Sequence, residues 1–151
     1  MNLSELILDK KLLTIKIGHD ANSISNLELI CSQEGDIPAL FGYYVGNLYF
    51  EITVIESIVI GIQIDFSYDT EKIFFELCEN KIMLNEETAF HDLFSFLKNT
   101  NLDFDTIESE IEAKRITLKK SDTNFYFSEN DTLMKINNFD WDIYEKLTNR
   151  N

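Results

Sequence analysis

Between Asn47 and Phe66 the chain alternates with a period of two, and few folds accept such a run. Ile58, Ile60, Ile62, Ile64 and Phe66 fall on every second residue, so an extended chain points them all to one side. Val59, Gly61, Gln63 and Asp65 then point to the other. Just upstream, Leu48, Phe50, Ile52 and Val54 alternate in the same way, and Glu56-Ser57 supply a polar turn. Two such runs predict an antiparallel hairpin with one apolar face and one mixed face.

The rest of the chain has to complete that sheet. A length of 151 residues fits one domain, 1–151, large enough to bury a core. Twelve phenylalanines against a single proline favour strands. No apolar run approaches the roughly 18 residues of a membrane-spanning helix. The start, Met1-Asn2-Leu3-Ser4-Glu5, lacks the basic and apolar regions of a signal peptide. The expected location is therefore cytoplasmic, without membrane association. Cys31 and Cys78 are not in a CxxC spacing and read as small buried hydrophobes.

Helical spacing of Leu3, Leu6 and Ile7 predicts a short helix over Leu3–Lys10, followed by a weak strand through Leu12–Ile17. Asp20 or Asn22 is placed to cap a second helix with Ile24, Leu27 and Cys31 on one side. Gln33–Pro38 reads as a loop, and Tyr43–Val45 begins the sheet. After a turn at Ser67–Thr70, Lys72–Leu77 suits either a strand or a helical turn, with a turn at Glu79-Asn80-Lys81. Asn85 before Glu86 and Glu87 marks a helix start, and Phe90, Leu93, Phe94 and Leu97 carry that helix over Glu86–Lys98. Leu102–Ile107 alternates. Lys114–Leu118, Asn124–Phe127 and Thr132–Ile136 read as strands, and Asp140 can cap a last helix over 140–148.

The expected architecture is α+β, an antiparallel sheet of about six to eight strands packed against a few helices. Asn47-Leu48-Tyr49-Phe50, a turn and Ile58–Phe66 are answered by Asn124-Phe125-Tyr126-Phe127, a turn and Leu133–Phe139. The pattern suggests a tandem helix-plus-sheet duplication with halves at 12–77 and 86–139.

Chemistry-bearing motifs are scarce. The two histidines, His19 and His91, lack further ligands in a recognisable spacing, although Glu87 and His91 share a helix face. Neither a nucleophile elbow nor a phosphate-binding glycine loop occurs. Pairs such as Asp65/Asp69 or Asp103/Asp105 are no more than expected where acids are this common. A non-enzymatic protein without metal or cofactor is the expectation.

Charge is the stronger signal. Acids outnumber bases 27 to 13, a net charge of −14, and no Lys or Arg lies between Lys16 and Lys72. Such a field argues against nucleic acid and anionic membrane as partners and favours a basic one. Asp103, Asp105, Glu108, Glu110 and Glu112 put five acids in ten residues, either a solvated edge or a docking patch. Tyr43, Tyr44, Tyr49 and Tyr126 are candidate anchors on the non-core side of the strands, and Asp65 lies on the mixed face of the central strand.

The pattern Gly46-x-Leu48-x-Phe50 followed by Gly61-Ile62-x-Ile64-x-Phe66 resembles small bacterial immunity proteins of polymorphic toxin systems, of the contact-dependent inhibition type. So does the sequel of a helix, an acidic connector and Phe125-x-Phe127 leading to Leu133-x-x-Ile136. The resemblance implies a cytosolic, non-enzymatic protein that binds and blocks one cognate toxin protein in a 1:1 complex, the toxin being a basic domain such as a nuclease. The tandem arrangement is also similar to the β-lactamase-inhibitor-protein architecture, in which an antiparallel sheet grips a partner. The chain departs from the usual Leu-Gly-x-Pro after the second helix, reading Leu29-Ile30-Cys31-Ser32-Gln33. The alternative is a small-ligand-binding or regulatory α+β domain with a pocket between sheet and helix.

Overall fold

The computed structural model describes residues 1–25, 27–33, 38–66, 73–108 and 113–149. Most of the loop expected at Gln33–Pro38 and all of the turn expected at Ser67–Thr70 lie outside them. In chain order the elements are α1 (Ser4–Asp9), β1 (Lys11–Leu12), β2 (Ile15–Lys16) and a single 3-10 turn at Ala21–Ser23. Then come β3 (Glu28–Gln33), β4 (Ala39–Val45), β5 (Leu48–Ile55), β6 (Ile58–Asp65), β7 (Ile73–Leu77) and β8 (Asn80–Leu84). The chain continues through α2 (Phe90–Asn99), β9 (Phe104–Ile107), β10 (Arg115–Leu118), β11 (Asn124–Phe127), β12 (Leu133–Phe139) and α3 (Trp141–Thr148).

Eight strands form one antiparallel sheet in the order β3-β4-β5-β6-β12-β11-β10-β9. The fold is α+β, as the alternation requires. Two four-stranded meanders meet at their last strands, β6 against β12. The tight turn between β5 and β6 puts both Glu56 and Ser57 at positive φ, the geometry that matches the twist of a two-residue hairpin. Sheet side chains at alternate positions face α1, α2 and the β7–β8 hairpin, and this side holds the core: Phe50, Ile52, Ile62, Ile64, Phe66, Ile116, Phe125 and Ile136 among others. No helix among the described residues is long and apolar enough to cross a membrane.

The central strand corrects the straight alternation. Thr53 pairs with Gly61 but Val54 pairs with Val59, so Ile60 is an extra residue, a β-bulge. Ile62, Ile64 and Phe66 keep the expected side, and Val59 takes the core position that the pattern assigns to Ile60. Ile58 is half-exposed, and Ile60 is buried outside the main core cluster. The bulge sits where β12 runs out. The Ile60 carbonyl accepts from the Asp140 N–H at 2.8 Å, and the Val59 carbonyl accepts from the Gly18 N–H at 2.8 Å.

Other expectations shift for local reasons. The helix proposed around Ala21–Cys31 is instead a 3-10 turn, with the Asp20 side chain accepting from the Asn22 N–H, followed by β3. Because β3 is a strand, the helix upstream of the first meander is α1, and the stretch expected to hold a helix directly before the first hairpin joins the sheet in its place. The Asn85 carboxamide accepts from the Glu87 N–H at 2.9 Å, which makes a side-chain turn there and delays α2 to Phe90. Lys72–Leu77 resolves, from Ile73 on, as a strand, and its hairpin turns at Cys78-Glu79, one residue early, so Asn80 and Lys81 already belong to β8. Both cysteines are exposed and free, Cys31 on the outermost strand β3 and Cys78 at a hairpin tip.

One buried polar hub ties the N-terminal helix to the second meander. Thr123 Oγ1 donates to the Ile7 carbonyl at 2.6 Å, accepts from Asn138 Nδ2 at 2.7 Å and lies 2.8 Å from Ser121 Oγ. The Ile7 carbonyl is one of the acceptors that a helix end leaves unpaired, and here a residue 116 positions away satisfies it.

Candidate functional site

Strand geometry sends the remaining side chains to the opposite, open face, and none of them joins the core cluster. One row crosses the sheet as Cys31, Gly42, Glu51, Gln63, Asn137, Asn124, Thr117 and Asp105, each opposite the next in the hydrogen-bonded register. The neighbouring row carries Tyr44 and Tyr49 in the first meander and Lys135, Tyr126 and Arg115 in the second. The face is therefore polar and aromatic, with a charge boundary along it. Its first-meander half includes Glu28, Glu51 and Asp65, and the sequence supplies no base there. Bases begin at the β6–β12 seam, where Lys135 lies opposite Asp65.

At the centre of the acidic half is a small constructed cluster. The Tyr49 phenol donates to Glu51 Oε1 at 2.9 Å, and Gln63 Nε2 donates to Glu51 Oε2 at 3.4 Å. The Cys31 thiol lies 3.5 Å from the Tyr49 oxygen. Gly42 makes this possible: a Cβ there would stand 2.5 Å from Tyr49 Oη and 2.7 Å from Cys31 Sγ. Tyr49 is only 7% exposed, and its burial, with the hydrogen bonds to Cys31 and Glu51, pushes the phenol well above the ordinary tyrosine range. It stays protonated and serves Glu51 as a donor. Tyr44 leans on Tyr49 with ring centres 5.3 Å apart.

A second feature closes the end of this face. Phe139, opposite Gly61, packs at a tilt against Trp141 at 4.5 Å and Tyr144 at 5.8 Å between ring centres. Trp141, the only tryptophan, is 64% exposed.

The candidate residues read from the sequence do not converge. Tyr44, Tyr49 and Asp65 belong to the open face of the first meander, and Tyr126 to that of the second, between Arg115 and Lys135, whose cationic groups lie 5.8 and 5.0 Å from its ring centre. Tyr43, next to Tyr44 in the chain, points to the core side and stacks on Phe50 at 5.7 Å, so the two cannot share a surface. Asp103, Asp105 and Glu108 are exposed at the β9 edge, five strand spacings or about 24 Å from β5. Glu110 and Glu112 lie outside the described residues.

That acidic edge is also offset in space by its neighbouring strand. Asp105 meets Lys119 at 3.1 Å and Glu108 meets Lys114 at 3.2 Å. Lys114 in turn bonds Asp131 at 2.9 Å; these contacts, Asp131 foremost, hold its ammonium above the usual lysine range. Exposed pairs of this kind add little stability, and they offset part of the charge of Asp105 and Glu108. No group of three potential metal ligands is gathered among the described residues. The sequence points to the Gln63 and Asp65 side of the central strand but not to Glu51 or Trp141, although Glu51 follows Tyr49 by two residues and must share its face. Comparison with protein-family models, with curated proteins and with solved structures returns no match.

Proposed function

We propose that this chain is an immunity protein, a cytoplasmic antitoxin that binds one cognate bacterial toxin domain and neutralises it by covering its active site or docking surface. The partner class is a basic protein, a nuclease domain above all. The proposed mode is binding in a 1:1 complex without cofactor. The observation that supports the reading is the open sheet face whose first-meander half includes Glu28, Glu51 and Asp65 and has no base in its sequence. A broad face of half-exposed polar and aromatic side chains suits a protein partner, and its charge would raise the rate of encounter with a basic one.

The test is reconstitution with the toxin domain encoded beside it. A stoichiometric complex that abolishes the toxin's activity is expected. Its dissociation constant should rise about tenfold or more between about 0.05 and 0.5 M salt, mainly through slower association. Absence of both binding and inhibition would sink the reading.

A further inference from the structure

We propose that Glu51 is the seat for an arginine side chain of a basic protein partner, and that exposed Trp141, packed against half-buried Phe139 and Tyr144 at the end of the same face, is the apolar anchor. The identity of that partner rests on the reading above; the seat itself does not. Glu51 Oε1 accepts one hydrogen bond, from Tyr49, and Oε2 accepts one, from Gln63. A carboxylate has about four acceptor sites, so each oxygen keeps one in reserve. The paired oxygens of a carboxylate match the planar fork of a guanidinium, which donates two parallel bonds.

Three further features favour a cation there. The donors now holding Glu51 are neutral, and no Lys or Arg pairs with it among the described residues. Its neighbours across the strands are Gly42 and Gln63, so no base flanks it. The carboxylate is held on a central strand of the sheet, by a buried tyrosine, in place of swinging in solvent. Arginine gains most from such preorganised acceptors. At the end of the same face, Trp141 offers the kind of aromatic surface on which partner side chains are most strongly held.

Two readouts test this. In the complex with the adjacent toxin domain, Glu51→Gln is expected to weaken binding at least about tenfold, and Trp141→Ala comparably. Asp105→Lys at the far edge should change it less than about threefold. Glu51→Gln keeps an acceptor for Tyr49, so equal thermal midpoints will show that the fold is intact. A complex that forms with undiminished affinity for Glu51→Gln overturns the seat and leaves the immunity reading standing.

The second readout needs no partner. N-acetyl-arginine methylamide is titrated into the whole protein and followed by NMR. Saturable shifts are expected at the Gln63 side-chain amide and the Glu51 backbone amide, absent in Glu51→Gln. Shifts spread over all carboxylates, or unchanged in the variant, overturn the seat whatever the toxin does.

Discussion

Replacing Ile62 with aspartate is expected to abolish the folded state. Ile62 is 1% exposed at the centre of the sheet, opposite Ile52 on one side and Asn138 on the other. An aspartate there has no cation to pair with in the core cluster, and its burial costs several kcal/mol beyond the lost apolar transfer. Domains of this size are stable by only about 5–15 kcal/mol, so the loss is comparable with the whole. Urea unfolding followed by far-UV circular dichroism should show no cooperative transition. The bulge at Ile60 adds a sharper comparison: Val59→Asp should be as severe, while Ile58→Asp, at a half-exposed position, should keep a cooperative transition. A native-like Ile62→Asp protein would mean that the sheet presents its other face to the core.

Thr123→Val should cost about 2–4 kcal/mol although the two side chains are nearly the same size. Removing the hydroxyl strips a donor from the Ile7 carbonyl and an acceptor from Asn138 Nδ2 at once, in a site that is 0% exposed. Each buried group left unpaired carries its own desolvation penalty. The double variant Thr123→Val/Asn138→Leu is expected to be less destabilised than the sum of the two single variants, because it removes both ends of one hydrogen bond. Asn138 Oδ1, which has no hydrogen-bond partner among the described residues, goes with it. Full additivity in chemical denaturation would show that the hub does not act as a unit.

Periodicity made the sheet legible, and it did so because side-chain direction in a strand depends only on position. Leu48–Val54 and Ile62–Phe66 follow that rule throughout. The rule cannot register an inserted residue, and so it sends Ile58 and Ile60 to the core and Val59 outward, the reverse of what the bulge produces. At β3, Ile24, Leu27 and Cys31 happen to fall at helical intervals, but Leu29 and Ile30 have no place in that stripe; pairing with β4 decides for a strand, with Leu29 half exposed at the sheet edge. The site was harder for a different reason. A run such as Asp103–Glu112 is crowded with acids along the chain, yet Lys119 and Lys114 approach from the adjacent strand. Conversely, Glu51 stands alone in sequence and gains its setting from Gly42, Gln63 and Cys31 on three other strands.

The seam between β6 and β12 has a kinetic consequence. Within each meander, neighbouring strands are joined locally, but Asp65 meets Lys135 across about 70 intervening residues, a closure that costs on the order of 4 kcal/mol of chain entropy. Few contacts reward that closure until the seam zips, so the folding barrier should lie there, with the meanders already sampled on either side. Mild truncations at the seam, Ile64→Val and Ile136→Val, are then expected to slow folding, whereas Leu29→Ala at the outer edge should act mainly on unfolding. A chevron in which the seam variants alter only the unfolding arm would place the joining of the two halves after the barrier, and each half would then have to reach its own compact state first.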